Sequence, residues 1–587
     1  MKKSLAIMLA LFAQFTFAQP TVWDGTVDTD WYNASQNSFT ITNAEQLAGL
    51  AKLVNEGNAF ILQSVILGAD IMLNDTTNWE NWKNEPPANK WIPIGTYTET
   101  EDKLFFGFFY GSGYTISGIY IDNSNDYQGL FGHLPGDVIE LGVTASYIKG
   151  RNNIGGMAGY TNRRGTIRDC YFTGVVIGQD SVGGLVGKND YSNSGEYSIR
   201  NSYFAGVVTG RDHVGGLVGN NNISVWSISS RYIIDSSYSS GVVTGRDNVG
   251  GLIGYNDGGN NNNMGNTGSV NKCYFIGTVA GQNDVGGLVG RNYSNVGRSY
   301  FAGNVTGQND VGGLVGRNYS NIRQSYSVGT VSGTDYVGGL VGFSDMSSNI
   351  INSYSINAVS GDSYVGGLIG CINGGGLNNC YSAGKVEGVS NVGGLVGGRC
   401  TAFSSGGYNY YDIETSGQSH DSIGSPKTTA EMKQSSTFHY GWYFGNIWGI
   451  NDIINDGYPY LMWSEEQLCI EAGNIYFGNY WITSDGCKTT EQVTCEETEG
   501  MAWENGNCTT PIRLPQITDK QISVQIINKG IILGNIPSNS RVEIYNLQGK
   551  RVYTGNSGNT QILKISIPAN GTYIVRTKDQ MFRVAVR

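Results

Sequence analysis

Three aspartates at recurring positions are the side chains of this sequence best placed to do chemistry. Asp180, Asp212 and Asp247 each stand two residues before a Val-Gly-Gly sequence, and Arg211 and Arg246 directly precede the second and third of them. Paired carboxylates at a fixed separation are the groups that glycoside hydrolysis uses. Carboxylate oxygens are also the ligands that calcium prefers. Lyase or hydrolase chemistry on a sugar polymer, or a calcium site, is therefore what these residues would serve.

The same position continues along the chain with residues that are not all acidic. Later copies carry Asn283, Asn309 and Asp335. Asn and Asp are both favoured in turns because their side chains bond to nearby backbone groups. We therefore interpret the column as a structural turn. No cofactor is predicted, and calcium at the three aspartates is the alternative.

Other catalytic patterns are missing from the sequence. The four histidines, His133, His213, His420 and His439, form no His-Glu-x-x-His zinc motif. There is also no serine nucleophile elbow, and the glycines lie at turns rather than in a phosphate-binding loop. We predict a protein that is not an enzyme and has no catalytic residues.

The elements that must position all these side chains are repeats. A Gly-Gly-Leu-Val-Gly sequence or a variant of it recurs ten times, with the copies 26 to 36 residues apart. Self-similarity at this period indicates an array of small units, each of which buries its apolar face only against its neighbours. The residues that precede the copies are Tyr127, Ile154, Val182, Val214, Val249, Val285, Val311, Val337, Val365 and Val392.

One repeat contains three strand-like segments. In residues 285–310 and 311–336 they are separated by Gly, Asn, Asp and Ser, which supply turns, and no helical periodicity is present. Three short strands per repeat predict one turn of a parallel β-helix, so about ten turns stacked about 4.8 Å apart form a rod on the order of 50 Å long. We predict an all-β solenoid, right-handed by the crossover rule, with a β-prism or propeller as the alternative.

A small residue precedes a recurrent tyrosine in the repeats, which predicts an inward position with little room. Cys170 and Cys273 lie three turns apart in this column, so roughly 14 Å separates them and they are predicted to be free, buried thiols. Strict alternation would turn the tyrosines outward, but the glycine between the segments could form a corner, so their direction is open. The small residues are Cys170, Ser202, Ser237, Cys273, Ser299, Ser325, Ser353 and Cys380.

The start of the chain has the pattern of a signal peptide. Lys2 and Lys3 precede an apolar run over residues 5–17 that is too short to span a bilayer, and Ala18 marks the expected cut. We predict a signal peptide at residues 1–18, no transmembrane segment after its removal, and an exported protein. The net charge of −11 argues against a nucleic-acid partner, since such binders need a basic stripe.

Four cysteines cluster near the end of the chain. Cys469, Cys487, Cys495 and Cys508 are predicted to form two disulfides in a small module over residues 464–512, because an exported protein meets an oxidising environment. A zinc site is the alternative, although no Cys-x2-Cys pair is present.

The Gly-Leu-Val-Gly signature of the repeats resembles that of the GLUG motif family of bacterial surface proteins, over residues 126–400. The resemblance implies an N-terminal cap over residues 19–125 and an aromatic C-terminal cap over residues 401–463. In the first, residues 42–45 predict a capping box that opens one amphipathic helix. Some members of the family are zinc proteases, whose motif this sequence lacks.

The last segment, residues 513–587, changes character to alternating strands joined by Asn, Gly and Pro turns. The stretches VEIYNLQGKRV at residues 542–552 and GTYIV at residues 571–575 resemble the type A sorting domain of the type IX secretion system. The resemblance implies an immunoglobulin-like β-sandwich, the type IX machinery as a partner, and a location on or outside the outer surface of a Gram-negative bacterium.

Three adjacent repeats enlarge the same corner, at residues 188–199, 220–234 and 255–270. Loops on a rigid frame are where recognition usually lies. Tyr191, Tyr197, Trp226 and Tyr232 are the predicted ligand-binding residues, as aromatic platforms for sugars or protein side chains. We predict a non-enzymatic adhesin or binding scaffold for a polysaccharide or a host or matrix surface. The alternatives are a carbohydrate-active enzyme, a passive spacer, and loops that are only tolerated surface variation.

Overall fold

A computed structural model shows the chain as a parallel β-solenoid, as predicted. It describes residues 21–97, 103–163, 165–191, 198–223, 232–257, 269–345, 348–401, 405–451 and 455–463, and beyond these only short strands between residues 480 and 586. In these residues four parallel sheets run along the solenoid. We name them S1 to S4 in the order in which one turn visits them: Asn283–Gly286 lies in S1, Val289–Asn292 in S2, Val296–Gly297 in S3 and Tyr300–Thr306 in S4.

Sheets S1 and S2 lie on either side of the glycine-rich motif. The described strands of S1 are Ile154–Gly155, Asp180–Gly183, Asp212–Gly215, Asp247–Gly250, Asn283–Gly286, Asn309–Gly312, Asp335–Gly338, Ser363–Gly366 and Ser390–Gly393. Those of S2 are Phe131–Leu134, Ala158–Arg163, Val186–Tyr191, Val218–Ile223, Ile253–Asp257, Val289–Asn292, Val315–Asn318, Val341–Ser344, Ile369–Ile372 and Val396–Arg399.

Sheets S3 and S4 complete each turn and begin earlier in the chain. The described strands of S3 are Ser38–Ile41, Ser64–Leu67, Phe108–Tyr110, Asp137–Ile139, Ile167–Arg168, Ile199–Arg200, Tyr232–Asp235, Ser269–Asn271, Val296–Gly297, Ile322–Arg323, Asn349–Ile351, Gly376–Asn378 and Ser405–Gly407. Those of S4 are Ile71–Met72, Thr115–Ser117, Tyr120–Asp122, Gly142–Lys149, Tyr171–Ile177, Tyr203–Thr209, Tyr238–Thr244, Tyr274–Ala280, Tyr300–Thr306, Tyr326–Ser332, Tyr354–Ser355, Ala358–Ser360, Tyr381–Ser382, Val386–Glu387, Tyr410–Asp412 and Ser425–Lys427.

The number of strands in each turn differs from the prediction of three. The motif VGGLVG is not one strand, because the chain bends at its second Gly and its Leu and so divides it between S1 and S2. At Gly287 an added Cβ would collide with the carbonyl oxygen of Gly313 and the ring of Phe301. Only glycine therefore allows successive turns to pack this closely at the bend.

The interior of the solenoid is a continuous apolar core with a polar column of asparagines along S2. Val, Leu, Ile and Phe side chains from all four sheets and from the bend between S1 and S2 are buried, for example Val285, Leu288 and Phe301, each 0% exposed. The polar column is a ladder of buried asparagines in S2 whose side-chain amides bond from turn to turn at 2.7 to 2.9 Å. Its members are Asn189, Asn221, Asn256, Asn292 and Asn318. Buried amides that bond to one another satisfy their own polar groups and hold the turns in register.

The small residues before the tyrosines point inward, as predicted. The Ser299 hydroxyl donates to the backbone carbonyl of Gly297 at 2.8 Å and accepts from the backbone N–H of Cys273 in the preceding turn at 3.1 Å. Cys170, Cys273 and Cys380 are buried free thiols, which confirms the prediction for the first two. Burial raises the pKa of Cys170 and Cys380 to about 12, so these thiols stay protonated.

The recurrent tyrosines point outward from S4, while the next residue points inward. Between Tyr171 and Tyr381 successive rings are stacked with centroids 4.7 to 5.0 Å apart. Aromatic residues of the C-terminal cap cover the last rings, and Trp448 packs against both Tyr354 and Tyr381. The cap therefore closes one end of the column through aromatic contacts.

The N-terminal end is closed by the predicted amphipathic helix, α1, at Ala44–Asn55. Its N-cap is Asn43, whose side chain accepts from the backbone N–H of Gln46 at 2.9 Å. The Gln46 side chain accepts from the backbone N–H of Thr42 at 2.8 Å rather than from that of Asn43, so the predicted capping box at residues 42–45 is not formed and the helix is capped by Asn43 instead. The predicted apolar face is buried, with Leu47, Leu50 and Val54 at 0% exposure.

The described C-terminal segments are small helices and antiparallel strands. The helices are α2 at Ile413–Ser416 and α3 at Thr429–Met432, with 3-10 turns at Ser435–Thr437 and Asn455–Gly457. A further 3-10 turn, Trp79–Asn81, belongs to the N-terminal part of the chain. Antiparallel pairs are Trp448–Gly449 with Tyr460–Leu461, Tyr480–Thr483 with Gly486–Thr489, and Ala502–Glu504 with Asn507–Thr509. The last described strands form one sheet of Ser523–Ile527, Gly530–Gly534 and Ile562–Ser566 and another of Arg551–Asn556, Arg541–Asn546, Gly571–Arg576 and Met581–Val586.

A disulfide joins two cysteines that sequence analysis did not pair, Cys371 and Cys400. Cys371 lies in an S2 strand, and Cys400 directly follows the S2 strand of the next turn, in which Gly398 is in register with Cys371. The structure does not describe the side chains of the four cysteines that the sequence predicts to form disulfides. Cys469 and Cys495 lie outside the described residues, and only the backbone of Cys487 and Cys508 is described.

Candidate functional site

The three enlarged segments emerge from neighbouring positions on the solenoid. Each leaves the end of an S2 strand and enters an S3 strand: Val186–Tyr191 to Ile199–Arg200, Val218–Ile223 to Tyr232–Asp235, and Ile253–Asp257 to Ser269–Asn271. The three S2 strands pair directly with one another, as do the three S3 strands. The segments therefore begin and end at one corner, which we call the loop corner.

The predicted ligand-binding residues belong to this corner, but their side chains are not described. Tyr191 ends one strand and Tyr232 begins another, and only their backbone is described. Tyr197 and Trp226 lie outside the described residues. The structure thus locates the corner without describing the contacts of these four side chains.

The aspartate column is stacked in S1 as predicted. Asp180, Asp212 and Asp247 are in register with one another, and Asn283 follows them. Each carboxylate already has a cationic partner, since Arg211 bonds to Asp180, and Arg246 lies 2.6 Å from Asp212 and 3.0 Å from Asp247. The Asn283 amide also donates to Asp247 at 2.6 Å. These partners occupy the oxygens that a cation or a sugar would need.

A band of aromatic side chains that sequence analysis missed extends from the loop corner along the outside of the solenoid. We call it the aromatic face. Its rings are in contact through Tyr255–Tyr293 at 5.7 Å, Tyr293–Tyr319 at 4.3 Å, Tyr336–Phe343 at 5.6 Å and Tyr336–Tyr364 at 5.0 Å. The face crosses five successive turns, so its length is on the order of 20 Å. Tyr255 is the first residue of the third enlarged segment, which makes the corner and the face continuous.

Two arginines lie within the aromatic face and have aspartate partners beneath it. Arg317 bridges the aromatic rings, with its guanidinium 5.6 Å from Tyr319 and 4.7 Å from Phe343. Its Nη1 atom lies 3.1 Å from the carboxylate of Asp310, and in the preceding turn Arg291 lies 2.5 Å from Asp284. The arginine side chains are 30% exposed, whereas Asp284 and Asp310 are 3% and 7% exposed. The guanidinium groups can therefore meet a ligand while the carboxyl groups are held below them.

The protonation of these groups follows from their burial. Burial and the neighbouring Asp284 charge raise the pKa of Asp310 to about 7, and Arg317 opposes this shift. Burial also raises the pKa of Tyr255, Tyr319 and Tyr336, so their hydroxyl groups are protonated at neutral pH. The face consequently offers aromatic rings, phenolic O–H donors and guanidinium N–H donors, which suit hydroxyl and carbonyl acceptors of a ligand.

A signal for this face was present in the sequence. The segment DVGGLVGRNYSN occurs twice without change, at residues 284–295 and 310–321, so the Asp, Arg and Tyr recur together. The two-residue separation of Arg and Tyr fits strand alternation, but the seven-residue separation of Asp and Arg fits neither this alternation nor a known catalytic motif. Their proximity becomes clear only when the bend between S1 and S2 is known.

The described residues contain no group of three or more His, Cys, Asp and Glu side chains arranged to hold a metal ion. Among the helices that the structure describes, none has both the length and the hydrophobicity that a membrane span needs.

Comparison with known proteins identifies the repeat. The family described as "The GLUG motif" matches residues 307–332. The chain is 33% identical to halomucin of Haloquadratum walsbyi over 173 residues, which are 29% of this chain and 2% of halomucin. It is 45% identical over 67 residues to the "Putative Gly-rich membrane protein" of Evansella cellulosilytica, covering 11% of this chain and 7% of that protein. The chain thus spans only a small part of these relatives.

One solved structure was also found, titled "Crystal structure of a putative immunoglobulin A1 protease from Bacteroides ovatus". It is 18% identical and covers 74% of this chain and 94% of its own length, with a TM-score of 0.24. The family match at residues 307–332 and the four parallel sheets show that the chain is a β-solenoid that carries GLUG repeats.

Proposed function

We propose that the protein is an exported, non-enzymatic binding scaffold that holds an extended polymer, a polysaccharide in the first instance, along the aromatic face and the loop corner. The observation that carries the proposal is the continuity of these two features at Tyr255. A linear surface on a rigid rod suits a linear ligand, which can contact several turns at once. Exposed aromatic residues and arginine are also the side chains that are enriched at binding surfaces.

The rival proposal of a carbohydrate-active enzyme has weaker support. The predicted aspartates are paired with arginines, and Asp284 and Asp310 lie beneath the face rather than on it. A general acid or base has to reach the substrate within hydrogen-bond distance, so buried carboxyl groups are poorly placed for this role.

A depletion pull-down tests the binding proposal. The chain over residues 19–587 is incubated with insoluble polysaccharides and matrix proteins, beside two variants. One has the three enlarged segments shortened to the length found in residues 285–310, and the other carries Tyr293→Ser and Tyr319→Ser. We expect binding to weaken about tenfold or more in both variants, because each loses an aromatic part of the ligand surface.

The matched control is Tyr114→Ser. Tyr114 is 38% exposed and Tyr293 is 37% exposed, so the control removes an equally exposed tyrosine from the N-terminal cap. Unchanged binding in both test variants would move the ligand site elsewhere. Binding by none of the proteins would favour a passive spacer, and turnover of a polysaccharide that is lost in Asp212→Ala would establish the enzyme.

We further propose that residues 513–587 form an immunoglobulin-like sorting domain read by the type IX secretion system, which delivers the protein to the outer cell surface. The three- and four-stranded antiparallel sheets near the end of the chain support this proposal. Cell fractionation with and without residues 513–587 tests it: the shortened chain is expected to remain in the periplasm. Equal amounts of both chains at the surface would overturn the proposal.

A further inference from the structure

A cleft at the N-terminal end of the solenoid belongs to neither the loop corner nor the aromatic face. It has a volume of about 600 Å³ and is lined by α1 on one side and by Trp23 and the segment around Trp91 on the other. Small-molecule sites in proteins have volumes of about 300 to 1,000 Å³. The cleft is therefore large enough to hold most of a small ligand.

The walls of the cleft are mainly apolar and remain open to solvent. Ala48 and Ala51 of α1 form one side, and the indole of Trp23 packs edge-on against that of Trp91 at 6.2 Å. Ile92 is 65% exposed and Val27 is 49% exposed, and both line the cleft. Covering this apolar surface would release water from it, which favours a ligand with an apolar body.

The two amide side chains in the walls are already bonded to the backbone. Asn55 donates to the carbonyl oxygen of Pro93 at 3.0 Å and accepts from the N–H of Gly95 at 3.0 Å. Asn89 donates to the carbonyl oxygens of Trp23 and Leu73 at 2.5 and 3.1 Å. A sugar needs partners for many hydroxyl groups, and these amides have little capacity left for them. The cleft is thus unlike the polymer-binding surface proposed above.

The rim of the cleft carries a positive charge that is not neutralised. Lys90 lines the cleft, is exposed, and makes no ion pair within the described part of the chain. Lys52 lies on α1 at the same rim, 4.0 Å from its neighbour Glu56, and both of these side chains are more than half exposed. Among the residues that line the cleft, two lysines and one glutamate leave a net charge of +1.

We propose that this cleft binds a small amphipathic anion, that is, a molecule with an apolar chain or ring and one acidic head group. The apolar body lies between α1 and the two tryptophans, and the head group pairs with Lys90. This site is independent of the polymer-binding function, because it uses none of the residues of the loop corner or the aromatic face.

Isothermal titration calorimetry of the chain over residues 19–587 tests the proposal with three probes. Decanoate has the apolar chain and the acidic head, decyl maltoside has the same chain with a neutral head, and maltohexaose has only sugar. We expect decanoate to bind more tightly than decyl maltoside, and maltohexaose not to displace decanoate, whether or not the sugar binds at the aromatic face. Equal binding of the two decyl compounds, displacement of decanoate by maltohexaose, or no binding of decanoate would overturn the proposal.

Variants locate the bound decanoate. Lys90→Gln is expected to weaken decanoate binding about fivefold, as the loss of one partly exposed charge pair predicts. Lys83 is an exposed lysine outside the cleft, so Lys83→Gln is expected to leave decanoate binding unchanged. Ala88→Trp fills the mouth from an exposed position and is expected to abolish binding. Ile92→Asp, also at an exposed position, is a second blocking variant should the first fail to fold. Undiminished binding in a folded blocking variant, or in Lys90→Gln, would overturn the proposal.

Discussion

Replacing Gly287 with alanine is expected to unfold the middle of the solenoid locally and to lower the free energy of unfolding by about 3 kcal/mol or more. An added Cβ would overlap both the Gly313 carbonyl oxygen in the next turn and the Phe301 ring. The ring can rotate, but the carbonyl belongs to the backbone that pairs successive turns. Removing the overlap with the carbonyl therefore requires two turns to separate, and this separation breaks the contacts on which each repeat depends.

Urea unfolding measures the decrease in the free energy of unfolding, and hydrogen exchange of residues 283–332 shows which turns have opened. We expect faster exchange in these two turns and little change in the N-terminal cap, because a repeat contacts mainly its neighbours. Gly297→Ala is the matched control in the same turn. The nearest atom to an added Cβ there is 3.6 Å away, and the register partners of Gly297 are Asn271 and Arg323, which carry long side chains. Equal destabilisation by both variants would contradict the steric argument.

The solenoid could be predicted from the sequence because each of its columns restricts the residue type in a different way. Glycine recurs where turns approach closely, a small buried residue recurs directly before the tyrosine that begins each S4 strand, and Asn or Asp recurs at the S1 turn. The fourth sheet could not be predicted, since the bend at Gly287 lies within an unbroken strand-like string. A sharp turn made by glycine and leucine has no polar residue to mark it.

The candidate site was harder to predict because its contacts join different turns. Tyr293 meets Tyr319 across 26 residues, and Arg317 meets Phe343 across the same distance. Only the register between turns brings such residues together. The disulfide of Cys371 and Cys400 was missed because the two cysteines occupy different positions of their repeats, six residues after Val365 and eight residues after Val392, so they share no column of the sequence. The enlarged corner was found from the sequence, since unequal repeat lengths locate an insertion without any contact.

Replacing Asp310 with asparagine is expected to flatten the pH dependence of stability. The folded protein holds a proton on Asp310 up to a pH of about 7, because burial and the Asp284 charge raise the pKa of this carboxyl group. The unfolded chain releases the proton at a pH of about 4. The stability that this proton gives is therefore fully present below pH 4 and is lost as the pH rises through 7. Asparagine cannot ionise, and its N–H group can donate to Asp284 as the carboxyl proton does.

The measurement is urea unfolding of both proteins at pH 5 and pH 8. We expect the stability of the original protein, relative to Asp310→Asn, to fall by about 2 kcal/mol between these values, since one unit of pKa shift corresponds to about 1.4 kcal/mol. Comparing the change with pH, rather than stability at one pH, removes the constant cost of altering the contact with Arg317. Asp335→Asn, which removes a carboxylate of the next turn outside the pair, is expected to keep the original pH dependence. If Asp310→Asn also keeps it, the two buried carboxyl groups do not share a proton, and the arginines of the aromatic face neutralise both of them.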